Sequence, residues 1–186
     1  MDIHFPALRQ GAITLYPITT DNMEEVLALF SGFPDSDDMI EEIKENYLPK
    51  YDEAGKCINY GFYATFNGEA AGISLLGISS WHDLRGYTGA DTLLHMRGKG
   101  VAPGSKPHLF YIGFHLFGLN RIETGCFVSN IASKRSIEKT PGFQYEGTLR
   151  AHGRNDDGEF EDVYSYAILR RDWERLYNPA DLEVIP

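Results

Sequence analysis

Between the apolar pair Leu93-Leu94 and a helix-length segment, the chain reads Arg97-Gly98-Lys99-Gly100-Val101-Ala102-Pro103. A glycine-rich basic turn between a strand and a helix is a place to hold phosphate. Small residues let the backbone approach a ligand, and the unpaired N–H groups of a helix start carry partial positive charge. The strand-like Arg121-Ile122-Glu123-Thr124-Gly125-Cys126-Phe127-Val128 follows, then Asn130-Ile131-Ala132-Ser133 and Gly142-Phe143. A phosphorylated cofactor bound at this turn is the expectation.

At 186 residues the chain reads as a single domain, 1–186, long enough to bury a substantial core. Its formal net charge of −10 argues against nucleic-acid binding, because affinity for phosphate backbones rests on Lys and Arg. The same charge favours a basic partner, or simply keeps the protein dispersed. No apolar run is long enough for a bilayer, so no membrane partner is expected. Residues 1–6 lack the basic and apolar regions of a signal peptide. The two cysteines, Cys57 and Cys126, share no metal-ligand spacing. Neither a disulfide framework nor a metal is expected, and the default compartment is a reduced cytoplasm. No His or Asp spacing supports a cysteine nucleophile, so both thiols read as buried or inert.

Alternation predicts a first strand over 13–18. Asp21 can cap a helix over 22–30, with Met23, Val26, Leu27 and Phe30 on one face. Pro34 breaks it, and Ser36 or Asp37 starts a second helix that Pro49 stops. Strands at 60–66 and 71–78 flank Asn67-Gly68, a strong hairpin signal. A loop over 79–86 carries Trp81 and His82, and a strand over 87–96 has Gly89 as a candidate bulge. A helix over 105–117 ends at Gly118. Next come a strand at 121–129, a short helix at 131–139, and strands at 143–149 and 163–169 around the turn signal Asn155-Asp156-Asp157-Gly158. Asp172 caps a last helix carrying Trp173 and Leu176. The order β-α-α-β-β-β-α-β-α-β-β predicts an α+β fold: a mixed α/β domain whose central, mostly antiparallel twisted sheet is flanked by helices.

Two common phosphate motifs fail on this turn. A dinucleotide fingerprint needs a third glycine where Pro103 stands, and a P-loop needs Gly-Lys-Ser/Thr where the chain has Gly104-Ser105-Lys106. What remains is Arg-x-x-Gly-x-Ala, supplied by Arg97, Gly100 and Ala102. This resembles the acyl-CoA pyrophosphate loop of the GNAT superfamily of N-acetyltransferases, and the resemblance covers nearly the whole chain. The run from Gly118 to Glu123 is similar to the stretch before the fifth strand in the RimJ/RimL-like branch, which acetylates N-termini of ribosomal proteins. Asn130 with Ser133, Glu138-Lys139, Gly142-Phe143 and the tail from Gly158 through Tyr166 to Asp172-Trp173 add to the match. Two departures stand out. Pro103 and Pro107 replace good helix formers: Pro103 is tolerable at the first helical position, whereas Pro107 predicts a delayed or distorted helix start. Thr140-Pro141-Gly142-Phe143 is one residue longer than the usual approach to Gly-Phe, which predicts a shortened helix after Asn130.

The resemblance implies direct transfer of acetyl from acetyl-CoA, a co-substrate, to a primary amine, either a protein N-terminus or a small cationic amine, with no metal. It implies a cofactor loop of Arg97, Gly98, Lys99, Gly100, Val101 and Ala102. It also implies a backbone N–H donor for the thioester carbonyl among Leu93, Leu94 and His95. Asn130 and Ser133 fall near the pantetheine and sulfur. The tyrosine acid of many relatives is replaced by Ile137, which leaves Ser133 as the better donor candidate. Glu123 is the candidate base, on the same strand side as Gly125. His82, Trp81, Glu159, Glu161 and Asp162 could border the amine site. Each has a plainer reading: Arg97 and Lys99 as solvated charges, Ser133 as a helix cap, Glu123 as a paired carboxylate, His82 as incidental, and the acidic residues as a solvated turn. Family members are often dimers, which makes a homodimer an expectation. The competing functions are a non-catalytic acyl-CoA-binding module and a transferase of another acyl group.

Overall fold

The computed structural model describes residues 5–34, 36–155 and 157–185. Residues 1–4 of the leader argument and Asp156 of the turn signal lie outside them. The strands are β1 (Ala7–Gln10), β2 (Ile13–Pro17), β3 (Lys50–Tyr51), β4 (Cys57–Phe66), β5 (Glu69–Ser80), β6 (Arg85–Thr92), β7 (Arg121–Phe127), β8 (Gln144–Arg154), β9 (Phe160–Leu169) and β10 (Glu183–Ile185). The helices are α1 (Met23–Phe30), α2 (Ser36–Glu42), α3 (Val101–Phe110), α4 (Ile131–Glu138) and α5 (Arg170–Leu176). Wider π-helical turns extend α2 over Ile43–Tyr47 and α3 over Tyr111–Leu116.

The expected α+β architecture is present. One sheet runs β10-β1-β2-β4-β5-β6-β7-β9-β8, with β3 beside β4. Its neighbours are antiparallel except β6 and β7. Asn67 (φ 52°) and Gly68 (φ 86°) take the two left-handed positions of the β4–β5 hairpin, as their side chains favour. The sheet is covered on both faces. Gly104 of α3 backs onto Ile13, while the π-turn residue Tyr47 backs onto Gly61 on the opposite face. Phe30, Ile43, Phe62, Ile73, Leu76, Phe110 and Phe114 are wholly enclosed between these layers.

Several local expectations are corrected. β1 and β10 are additional strands at one end of the sheet, with β10 at its edge, held by the Leu8↔Val184 register and an Arg9–Glu183 ion pair at 2.5 Å. Gly89 is no bulge: it pairs regularly with Leu75, and the irregularity lies between Ile78 and Ser80. β5 and β6 together shorten the expected 79–86 loop to a tight turn. The Leu93 N–H still bonds Ala71 O of β5 (3.0 Å), and β6 ends there because the chain then turns, with Met96 N–H folding back onto Leu93 O (2.9 Å). Asn22, not Asp21, stands at the start of α1, and it exchanges hydrogen bonds with Thr19. Asp172 lies inside the first turn of α5, which begins at Arg170.

The pairing of β6 with β7 positions the site. It lasts for three residue pairs, Arg85↔Arg121, Gly86↔Ile122 and Tyr87↔Glu123. Beyond them β6 stays with β5 and β7 stays with β9, so the two halves of the sheet part. Thr124 Oγ1 donates to Thr88 O (3.0 Å) across the crotch of this fork.

Candidate functional site

The loop before α3 turns through Gly98 (φ 81°) and Gly100 (φ 84°), a conformation open to glycine and strained for other residues. The helix starts at Val101, four positions ahead of the expected Ser105. Pro103 does not delay it, because a first-turn residue has no intrahelical N–H bond to lose. Gly104 N–H makes an early helical bond to Gly100 O (2.9 Å). The N–H groups of Val101 and Ala102 stand before it, at the positive end of the helix dipole. Pro107 is the interior proline, and it removes one bond from the middle of α3. Downstream the winding widens, and Phe117 N–H reaches Ile112 O (3.0 Å).

Arg97 and Lys99 flank the helix start from exposed positions. Arg97 Nε leans on Thr92 O (3.3 Å) and Lys99 Nζ on Met96 Sδ (3.4 Å). Two cations, glycine backbone and first-turn N–H groups together can hold a phosphate or pyrophosphate.

The fork opens from this loop toward its crotch. The Leu93 N–H, one of the expected carbonyl donors, is already bonded to Ala71 O, and the Leu93 side chain is buried. Leu94 is exposed. His95 stacks on Phe33 with centroids 4.7 Å apart, and its Nε2 lies 3.4 Å from Glu69 Oε1. Strand alternation points elsewhere. Thr88 O faces β7, since it accepts from Thr124, so the backbone groups of Ala90 and Thr92 face the same open side. Thr92 is engaged: its N–H bonds Asp91 Oδ1 (2.8 Å) and its carbonyl accepts from Arg97. That leaves the N–H and C=O of Ala90 along the open edge of β6.

Glu123 is a paired carboxylate. Its Oε1 accepts from Arg121 Nε (2.7 Å), and the same guanidinium makes a fork-to-fork pair with Glu146. That pairing holds the Glu146 carboxyl below its usual range. Asn130 Oδ1 accepts from Ser133 N–H (2.9 Å), so Asn130, rather than Ser133, caps α4. The Ser133 hydroxyl is within bonding reach of the Cys126 thiol, whose pKa is raised by burial and pulled back by that contact. Ile137 is buried against Cys126 and Tyr166 in a small second core. α4 runs to Glu138, one residue short of the expected end.

The remaining candidates disperse. Trp81 Nε1 bonds Cys57 O (3.3 Å) beneath Lys56, and with His82 it lies in the turn before β6, at the closed end of the fork. Glu161 accepts from Ser129 N–H (2.7 Å), and bonding to Ser129 keeps its carboxyl below the usual value. Asp162 accepts from Ala151 N–H (2.7 Å). Both brace the β8–β9 hairpin. Glu159 is an exposed residue of the turn between those strands.

One site residue escaped the sequence reading. Lys106 projects from the second turn of α3 and donates from Nζ to Thr88 Oγ1 (3.0 Å), beneath the crotch. It is buried, and burial lowers its pKa to about 7. Nothing local in the sequence marks its enclosure.

No family model matches this chain, and no curated protein matches it by sequence. Solved structures do match in fold. A protein of T. thermophilus, provisionally assigned as an acetyltransferase, superposes with a TM-score of 0.67 at 19% identity, over 95% of this chain and 100% of that one. Spermidine/spermine N-acetyltransferase SpeG of Vibrio cholerae superposes with a TM-score of 0.65 at 16% identity, over 90% of this chain and 98% of that one. A spermidine N-acetyltransferase chimera of Vibrio cholerae SpeG and hSSAT gives 0.67 at 16% identity, over 89% and 99%. The chain shares the fold of these acetyltransferases over about nine-tenths of its length.

Proposed function

We propose that the protein is an N-acetyltransferase of the GNAT type that carries acetyl from acetyl-CoA to a primary amine in a ternary complex. The observation that carries this reading is the alignment of two features. A glycine-turned, cation-flanked helix start suits the CoA pyrophosphate, and it opens onto a fork whose free strand edge suits an amide-bearing arm. In the bound complex Arg97, Lys99 and the N–H groups of Val101 and Ala102 hold the phosphates, and the edge groups of Ala90 bond the arm. A neutral amine then enters in line with the thioester. Holding both reactants there supplies much of the rate gain. Asn130 and Ser133 border the sulfur end from the start of α4. Glu123 is the base in this reading, working through water, and it must first share its carboxylate with Arg121.

The acceptor is a small cationic amine or a protein N-terminus, as in the RimJ/RimL-like branch. The net charge of −10 and the spermidine activity named for SpeG favour the cation. Thiol release from acetyl-CoA, measured with a panel of polyamines, monoamines and N-terminal peptides, tests this. Release with at least one amine is expected. Absence of release with every amine, in folded protein that binds CoA, would instead support a non-catalytic acyl-CoA-binding module, which the engagement of Glu123 by Arg121 favours. Propionyl- and succinyl-CoA in the same assay separate a different acyl preference.

A further inference from the structure

Lys106 is a buried ammonium with one neutral partner. Its Nζ donates to Thr88 Oγ1, and its other N–H protons have no partner among the described residues. No carboxylate among them lies within ion-pair distance. No other charged or titratable group acts on it electrostatically from β5, β6, β7 or α4, and burial alone governs its protonation. A cation enclosed this way is destabilising unless it serves a bound anion.

Its place along the fork says which anion. Lys106 lies six helical residues past Gly100, ~9 Å along α3, and its side chain continues to the crotch at Thr88. On the strand side, residues 88 to 92 span four steps, ~13 Å. Between its phosphate and its sulfur, the arm of a CoA thioester has about as many backbone bonds as four residues, ~13–14 Å extended. With the phosphates at the loop, the sulfur therefore arrives at the level of the crotch.

We propose that the Lys106 ammonium is the proton donor to the sulfur that leaves the acyl-CoA thioester. The inference rests on the acyl-transfer reading of the fork. As the neutral acceptor nitrogen attacks, its C–N bond forms, the C–S bond breaks and the sulfur takes the electron pair. Lys106 passes a proton to that thiolate, giving free CoA thiol and a neutral amine. The proton shed by the acceptor nitrogen as it becomes an amide restores the ammonium. Each turnover thus returns Lys106 to its starting form.

The test reads the sulfur directly. CoA is bound to the wild-type protein and its thiolate absorbance is followed against pH, beside free CoA and CoA bound to Lys106→Met. A cation within contact range lowers such a pKa by about 1–3, and the thiolate in turn holds Lys106 protonated, so the bound thiol is expected to titrate below free CoA in the wild type. In Lys106→Met it returns to or above the free value. Single-turnover acetyl transfer by that variant is expected to fall about 10²-fold or more, and to fall far less with an aryl thioester, whose leaving group needs no proton. A purely structural lysine would slow both donors alike. A bound thiol that titrates at or above free CoA in the wild type overturns the proposal even if the variant fails to fold. So does identical titration in the two proteins. Failure of wild-type protein to bind CoA removes the fork reading itself, a distinct result that takes this inference with it.

Discussion

Enclosing a lysine without a counter-ion sets its chemistry and its effect on stability together. In the folded protein Lys106 loses its proton near pH 7, against an ordinary value of 10.5. Between those values the unfolded chain binds more protons, so the folded state gains stability as pH rises. The penalty is complete below about pH 7 and gone above 10.5. Replacing Lys106 with Met removes a lone buried ammonium and keeps a chain of similar length. We expect Lys106→Met to be more stable than wild type at pH 6 by about a few kcal/mol, with the gap closing toward pH 10.5. Denaturant unfolding of both proteins at pH 6, 8 and 10 checks this, and a gap that does not narrow would contradict it. The opposite case is Glu123. Its carboxylate was legible in the sequence, two residues along the strand from Arg121, whereas the pairing of the same guanidinium with Glu146 reaches 25 residues further on.

Among the elements, α3 and the loop before it were the most readable, because glycines, cations and a following helix are local signals. The earlier helix start has a local cause as well. Pro103 stands in a first turn, where it has no hydrogen bond to break, and Pro107 lies too far into the helix to delay its start. The loop makes a direct prediction. A Cβ on Gly100 would meet nothing within 4 Å, so Gly100→Ala pays only for the left-handed backbone at φ 84°. We expect a stability loss of about 1–2 kcal/mol together with weaker CoA binding, read by denaturant unfolding and by calorimetry. Unchanged CoA affinity in the destabilised variant would move the phosphates elsewhere. In β6, by contrast, the sequence does not single out the donor Ala90. Which groups of a strand remain open depends on both neighbours, and the neighbour on one side is β7, beyond a whole helix.

Across the whole molecule, the sheet is assembled from pairings that the sequence only partly announces. The Asn67-Gly68 turn specifies its hairpin, whereas β1 finds β10 over nearly the full length of the chain. Net charge acts at this scale too. With −10 over the chain, long-range attraction should assist a polycationic acceptor and be screened by salt. Raising ionic strength should therefore increase the KM for spermidine more than the KM for a neutral-bodied monoamine. Equal responses would show that the surface field takes no part in acceptor choice. The sequence alone determined the phosphate-type turn, the helical and strand periodicities and the acidic balance, since each depends on residues close in the chain or on a simple sum. Only the tertiary structure decided where the sheet forks, which backbone groups face the opening, that Arg121 also reaches Glu146, and that Lys106 is buried beneath the crotch. Those outcomes depend on strand pairing and solvent exclusion between residues far apart in sequence, where no local pattern carries the information.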